Sequence, residues 1–376
     1  MPMSRPAHPG TSGSASLCDA IVIGAGQSGL AAAHALRQTG LAPVVLEAGP
    51  EPVGSWPHYY DSLTLFSPAR YSSLPGLPFP GDPGRYPHRD EIADYLRRYA
   101  AHLDVDIRTR TRVDTIIAAP GGYQVHTGEQ TLTALLVIAA TGGFGNPYRP
   151  VLPGLDAFTG QTLHVADYHR PEQFAGQHVV IVGAGNSAAQ IGVELTQHAR
   201  VTLATRVPVK YAPQRILGRD MHWWATTLGF DHLPIGPYLR STPSVPVVDD
   251  GTYRATIDAG RPGRVPIFTD IDGTRLTWPD GRTEQVDTIL FATGYRPDLP
   301  YLTDLGALDH HGRPRQIRGL STSHPGLGYV GLEWQRSLAS ATLRGVGRDA
   351  RYVTTRLVRH RTALPAVRCC EQPSAV

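Results

Sequence analysis

The apolar and polar positions of this chain run through the same order twice. Residues 19–26 (DAIVIGAG) form an apolar run that ends in a glycine turn. A stretch at helical spacing follows over about 27–39 and stops at Gly40, and a second apolar run occupies 42–48 (APVVLEA). The pattern returns in VVIVGAGNSA (179–188) and RVTLATR (200–206). Continuous apolar runs joined through a glycine turn and a helix read as buried parallel strands of a βαβ unit. Between the two units, 50–88 is rich in proline and aromatic residues. Proline at that density forbids a long regular element, and a loop of that length inside a compact domain is functional as a rule, so it reads as a flap. A helix is expected over 89–102, hairpin-like strands over 105–140, and a linker over 144–178. Residues 207–285 mix turns and short strands without a clear period. A buried strand follows in DTILFATGYRPD (287–298), then a short strand GYVGL (328–332) and a helix from about Ser337.

This order predicts an α/β fold of two nested Rossmann-type dinucleotide-binding domains. The first would take 18–150 and 291–362, and the second, 151–290, would be inserted into it. Residues 1–17 read as a disordered leader and 363–376 as a flexible tail.

The turns carry the chemistry. In the first, Gly24 makes the tight bend, Gly26 lets the backbone approach a pyrophosphate, and Gly29 lets helix pack on strand. Gln27 and Ser28 open the helix, whose free N–H groups and dipole favour an anion. Glu47 stands at the next strand end, where an acid accepts hydrogen bonds from ribose hydroxyls. The second turn offers Gly183, Gly185, Asn186 and Ser187, with Ala188 at the third small position. At the offset of Glu47 it has Arg206, and Lys210, the only lysine in the chain, lies four residues on. A guanidinium there suits a 2′-phosphate. The expectation is therefore one FAD site and one NADPH site, with hydride passing between them. Two Ala-Thr-Gly triplets, 140–142 and 292–294, follow buried strands; Thr141 and Gly142 fall to the FAD side, Thr293 and Gly294 to the NADPH side. Ser55 and Trp56 open the flap, where the indole could flank a flavin ring.

The bulk numbers narrow the class. A net charge of +3 over 376 residues points to neither nucleic acid nor a membrane surface. Cys18, Cys369 and Cys370 form no CxxC pair, which excludes the dithiol relay of the thioredoxin and glutathione reductases. No apolar run reaches the ~20 residues of a membrane span, and no secretory h-region is present, so the cytoplasm is the expected location. No metal-ligand spacing is found. The oligomeric state stays open, a homo-oligomer included.

The segment FTGQTLHVADY spells Phe158-x-Gly160-x3-His164-x3-Tyr168 just before the second turn. Together with the two turns and the two triplets it resembles the class B flavin-dependent monooxygenases. These include animal flavin monooxygenases, Baeyer–Villiger enzymes, N-hydroxylating enzymes and plant YUCCA proteins. Tyr168 at the last place is closer to the flavin-monooxygenase and YUCCA form, and the ending GYVGLEWQRSLASATLRGVGRDA is similar to compact bacterial CzcO-like flavoproteins. The resemblance spans about 19–360. It implies FAD, NADPH, O₂ and a small organic substrate, with one oxygen atom passed on from a C4a-peroxyflavin. It also implies that Gly160, His164 and Tyr168 link the domains and position NADP⁺ rather than move protons.

The sequence assigns no catalytic side chain and offers Phe66, Ser67 and Ser337 as flavin-proximal candidates. Animal enzymes carry an asparagine over the flavin where this chain has Phe66 or Ser67, and Asn146 does not obviously replace it. The helix expected from Ser337 is a candidate donor to a developing anion. The flap and 207–250, with Trp223 and Trp224, are expected to wall the substrate pocket. An NADPH-dependent reductase, a non-catalytic flavoprotein and a peroxide-forming oxidase stand as alternatives.

Overall fold

A computed structural model describes residues 17–239, 243 and 245–363. The expected leader (from residue 1 to 16) and the tail beyond Ala363 lie outside the described residues, as do Cys369 and Cys370.

The first βαβ unit is β1 (Leu17–Ile23), α1 (Gln27–Arg37) and β2 (Pro43–Leu46). It is followed by α2 (Arg89–Leu103), β3 (Asp106–Arg108), the antiparallel β4 (Val113–Ala119) and β5 (Gly122–Thr127), and β6 (Thr131–Ala139). Then come β7 (Gln161–His164), β8 (His178–Val182), α3 (Asn186–Leu195) and β9 (Arg200–Thr205). The remaining main elements are α4 (Met221–Thr227), α5 (Thr252–Asp258), β10 (Gly263–Pro266), β11 (Thr288–Phe291), β12 (Gln316–Ile317), β13 (Leu320–Ser321), β14 (Leu327–Tyr329) and α6 (Leu343–Ala363).

These strands sort into two main sheets. The first has the order β12-β13-β14-β6-β1-β2-β3, with the β4–β5 hairpin attached to β6. The second has the order β10-β9-β8-β11-β7 and is parallel throughout. Strands from both ends of the chain thus build one sheet, and the middle builds the other. Alternation along the strands sets the layers. In β1, Ala20 and Val22 face the helix layer with Leu30, Val346 and Val353, while Ile21 and Ile23 face Tyr301 and Leu302. In β8, Val179 and Ile181 face α3, and Val180 and Val182 face Phe268 and Trp278. Helix α1 packs along α6 in the first layer.

Two expected boundaries are corrected. The expected linker over 144–178 contains β7, which pairs with β11 at the edge of the second sheet. The last helix begins at Leu343, not near Ser337. Ser340 Oγ accepts the backbone N–H groups of Arg336 and Ser337, which closes a turn ahead of the helix. Ser337 is buried in that turn and is not at a helix N-terminus. Among the described residues, no helix is long and apolar enough to cross a membrane.

Candidate functional site

Both glycine turns sit at the place where strand order reverses, between β2 and β6 in the first sheet and between β9 and β11 in the second. That crevice, at the strands' carboxyl ends, is where doubly wound sheets bind ligands. The two turns are built alike. Gly24 N–H donates to Leu46 and Gly183 N–H to Ala204, each crossing to the neighbouring strand. Gly24 has φ +95 and Gly183 φ +151. A Cβ on Gly24 would lie 2.8 Å from the Ala140 carbonyl oxygen, and one on Gly183 would lie 2.4 Å from that of Ala292. The first residue of each Ala-Thr-Gly triplet is therefore what each turn rests on. Helices α1 and α3 start at Gly26 and Gly185 with no side-chain cap, which leaves their first N–H groups for a ligand.

Three segments converge on the start of α1. Gln27 Nε2 donates to the Ala341 carbonyl, and Gln27 Oε1 accepts from Trp56 Nε1, both at 2.8 Å. The flap opens directly on the turn: a Cβ on Gly54 would lie 2.8 Å from Gly26 Cα. Ser28 is buried, and a Cβ on Gly331 would meet its Oγ at 2.1 Å. Glu47 Oε2 accepts from Ala25 N–H at 2.6 Å and Oε1 from Gly49 N–H at 2.7 Å. A carboxylate has about four acceptor positions, so Glu47 fastens the turn and keeps capacity for ribose hydroxyls.

The segments after the two triplets run antiparallel to one another and join the sheets. Tyr148 N–H donates to Gly294, Arg296 N–H to Asn146, and Asp298 N–H to Gly142. Thr141 Oγ1 donates to the Asp298 carbonyl at 2.5 Å, and Thr293 Oγ1 donates to that of Tyr148. Asn146 spends its amide on the Pro297 carbonyl. His164, fully buried at the end of β7, ties into this crossing. Its Nε2 pairs with the Gly294 carbonyl at 3.1 Å, and its Nδ1 accepts from Ala166 N–H. Burial pushes its pKa below the usual histidine range, so the ring is neutral with its proton on Nε2. Gly160 is small by necessity, since a Cβ would lie 2.6 Å from the Asp287 carbonyl oxygen. Tyr168 donates to Glu194 on α3. The motif thus fastens β7, the crossing and α3 together.

Sequence reasoning missed an aromatic ladder that runs from the flap through this crossing. Trp56, Tyr59, Phe144, Tyr295 and His164 follow one another at 5.6, 4.8, 5.4 and 5.0 Å between ring centroids. Its signal was available: Phe144 and Tyr295 stand just past the two triplets. Also missed was the hub at Asp220, just ahead of α4. Its carboxylate accepts from Tyr86 OH in the flap, from Gln214 Nε2, and from His222 through N and Nδ1. Burial alone would raise this carboxyl; the hydrogen bonds from His222, Tyr86 and Gln214 outweigh it and hold the pKa at about 2. The His222 ring lies between Phe66 and Tyr71 at 6.0 and 6.2 Å.

The family model for pyridine nucleotide-disulphide oxidoreductases matches residues 21–215. A CzcO-like oxidoreductase of Geobacillus kaustophilus is 35% identical over 92% of this chain and 99% of its own. Indole-3-pyruvate monooxygenase YUCCA1 of Oryza sativa is 33% identical over 77% of this chain and 80% of its own. The solved flavin-containing monooxygenase of Stenotrophomonas maltophilia is 33% identical, with a TM-score of 0.80 over 92% of this chain and 99% of that one. This chain belongs to the flavin monooxygenase-like oxidoreductases. Membership implies a flavin and a nicotinamide nucleotide, and the two uncapped helix starts fit phosphate groups of that kind. The family-model name mentions disulphides, yet Cys18 is the only cysteine among the described residues.

The remaining expected residues divide clearly. Arg206 is exposed just past β9 and lines a groove of about 500 Å³ with Thr205, Leu152, Pro153 and Phe268. Lys210 is exposed but does not line that groove. Asn186 turns its side chain to the backbone of Pro246 and Val248. Ser187 is half-buried at the start of α3, and Ser55 precedes the 3₁₀ turn of Trp56. Phe66 gives its carbonyl to Gln214 Nε2, and Ser67 gives its hydroxyl to Ser72. The flap meets the 207–250 segment through Gln214, Asp220 and His222. Trp224 bonds instead to Ile216, and Trp223 lies under Arg219.

Burial lowers the pKa of His34, His164, His178 and His232. The unfolded chain takes up protons at these sites near pH 6.5 and the folded chain only below it, so stability falls as pH drops through 6.5. Thermal melts between pH 8 and pH 5, at about constant ionic strength, are expected to show the midpoint falling below pH 6.5. A flat profile across that window would contradict this account of the four histidines.

Proposed function

We propose that this chain is an FAD- and NADPH-dependent monooxygenase of the cytoplasm. NADPH, O₂, a proton and a small organic substrate would yield NADP⁺, water and the oxygenated product. The observation that carries the reading is the pair of like-built turns with unlike strand ends: Glu47 beside the first and Arg206 beside the second. Bound flavin would supply hydride acceptance and dioxygen reduction. The chain's own residues do the rest. Gly24, Gly26 and Gly29 with the first turn of α1 hold the FAD pyrophosphate, and Glu47 holds the adenosine ribose. Gln27 and Trp56 fix the flap over it, with Ser28, Ser55, Thr141 and Gly142 at its borders. Gly183 and Gly185 with the first turn of α3 hold the NADPH pyrophosphate, with Asn186 and Ser187 beside it. Arg206 takes the 2′-phosphate and Lys210 adds nearby charge. Thr293, Gly294, Gly160, His164 and Tyr168 set the distance between the two sites.

The substrate would enter between the flap and the 207–250 segment, where half-buried Phe66, backed by His222, offers an aromatic wall. The start of α6 at Leu343, next to Ala341 and Gln27, replaces Ser337 as the source of N–H groups near the flavin.

Cofactor assignment is tested by releasing and identifying the bound flavin, then adding NADPH or NADH without oxygen. The flavin is expected to be FAD and to bleach faster with NADPH. Arg206→Gln is expected to raise KM for NADPH about tenfold, about 1.4 kcal/mol, with KM for NADH nearly unchanged. An equal change for both nucleotides would remove Arg206 from the phosphate site.

A second reading, a peroxide-forming oxidase, is favoured by one observation. Phe66 and Ser67 carry no side-chain amide, and the Ser67 hydroxyl is already engaged by Ser72. Peroxide yield in the presence of substrate separates the two.

A further inference from the structure

Helix α6 has two unlike faces. Val346, Val353 and Leu357 pack into the core with α1. The other face carries Arg348, Arg351, Arg356 and Arg359, and it forms one side of a cavity of about 410 Å³. Arg336 and His232, from two other segments, close the cavity. None of the residues of the two glycine turns lines it.

Five guanidinium groups therefore face one cavity with a single carboxylate, Asp349, among the described lining residues. That carboxylate is already engaged: Asp349 is 2% exposed, and its Oδ1 lies 3.0 Å from Arg336 Nη1. The engagement is incomplete, because Arg336 Nε and Asp349 Oδ2 are buried without a partner. Buried polar atoms in native proteins almost always have partners, so an orphaned donor within a residue that lines an arginine-rich cavity asks for an explanation. Tyr352 stands between Arg336 and Arg356, whose guanidinium carbons lie 4.0 and 4.5 Å from its ring centroid. Two cations on one ring, with exposed Arg348 and Arg351 beside them, give a positive potential in a concave space. The pKa of His232 is lowered by burial and then by Arg348, which fits that potential.

We propose that this cavity is an anion site, apart from both glycine turns, that takes a phosphate group through the α6 arginines and Arg336. Arginine is the side chain suited to phosphate, since its planar fork offers parallel N–H donors. Exposed Phe230, Leu233, Ile235 and Tyr238 lie on the segment that carries His232. The phosphate can accordingly belong to a free metabolite or to a lipid headgroup.

The test uses the flavin-loaded protein with NADP⁺ saturating, so that the dinucleotide sites are filled. Inorganic phosphate is titrated by calorimetry at fixed ionic strength. Sedimentation with phosphatidic acid vesicles is compared with sedimentation with phosphatidylcholine vesicles. Arg348→Gln/Arg351→Gln is the variant, because both side chains are exposed and the core pair Arg336–Asp349 is left intact. The proposal expects saturable uptake of one phosphate per chain, or binding to phosphatidic acid vesicles alone, weakened at least about tenfold in the variant. Flavin content and NADPH-driven bleaching should stay unchanged. Soluble phosphate binding identifies a free metabolite as the source, and vesicle binding without it identifies a headgroup. Equal binding by wild type and variant, or no binding of either probe, overturns the proposal.

Discussion

Replacing Gly29 with valine is expected to give a chain that purifies without flavin colour. A Cβ on Gly29 would lie 1.7 Å from the Gly24 carbonyl oxygen and 2.8 Å from its carbon. Both are backbone atoms of the turn, so no side chain can move aside to make room. Either α1 lifts away from β1 or the Gly24 turn opens, and both changes take the first N–H groups of α1 away from the pyrophosphate. The expected loss of flavin affinity is more than about 100-fold, roughly 3 kcal/mol. Because a tightly bound cofactor stabilises the folded state, the melting temperature should fall as well. Absorbance of released flavin per chain checks the first point and a thermal melt the second. A yellow protein with wild-type flavin content would mean that this turn does not hold the cofactor.

Gly185→Val is expected to do the opposite: to keep fold and flavin but lose the nicotinamide nucleotide. Gly185 has φ −94 and ψ −171, extended backbone that any residue adopts, and a Cβ there would meet nothing within 4 Å. The protein itself therefore gives no reason for glycine at this position. A pyrophosphate lying against the turn does. The melt and flavin content should match wild type, while KM for NADPH rises at least about tenfold. Anaerobic bleaching by NADPH reads this directly. Wild-type bleaching would show that the space above Gly185 is not where NADPH sits. Taken together, the two substitutions separate a glycine required by packing from one required by a ligand.

Much of this architecture was legible in the sequence because the chain states it locally. The turns, the strands around them and the unlike ends at Glu47 and Arg206 all lie within short windows, where apolar runs and glycine spacing act directly on the backbone. The two Ala-Thr-Gly triplets were legible for the same reason, and the structure supplies their physical role: Ala140 and Ala292 lie beneath Gly24 and Gly183. The link made by His164 was legible only through resemblance, since nothing nearby in sequence announces the Gly294 carbonyl as its partner.

What the sequence did not show is long-range. Tyr86 and Asp220 are 134 residues apart, and no local pattern joins them. The start of α6 was misplaced because Ser337 to Thr342 contains acceptable helix formers; the Ser340 hydroxyl and the Gln27–Ala341 bond hold it in turns instead. Tertiary hydrogen bonds outweighed a weak propensity. Trp223 and Trp224 attracted attention as large aromatic residues, yet the contact with the flap is made by Gln214, Asp220 and His222.

The most direct test of the monooxygenase reading is made on the oxygen step. The protein is reduced by NADPH without oxygen, then mixed rapidly with buffer containing heavy-isotope dioxygen and a panel of small apolar substrates. The account predicts a spectrally distinct transient before oxidised flavin returns, and one labelled oxygen atom in a product. Immediate return of oxidised flavin, with peroxide equal to the NADPH consumed and no labelled product from any substrate, would contradict it.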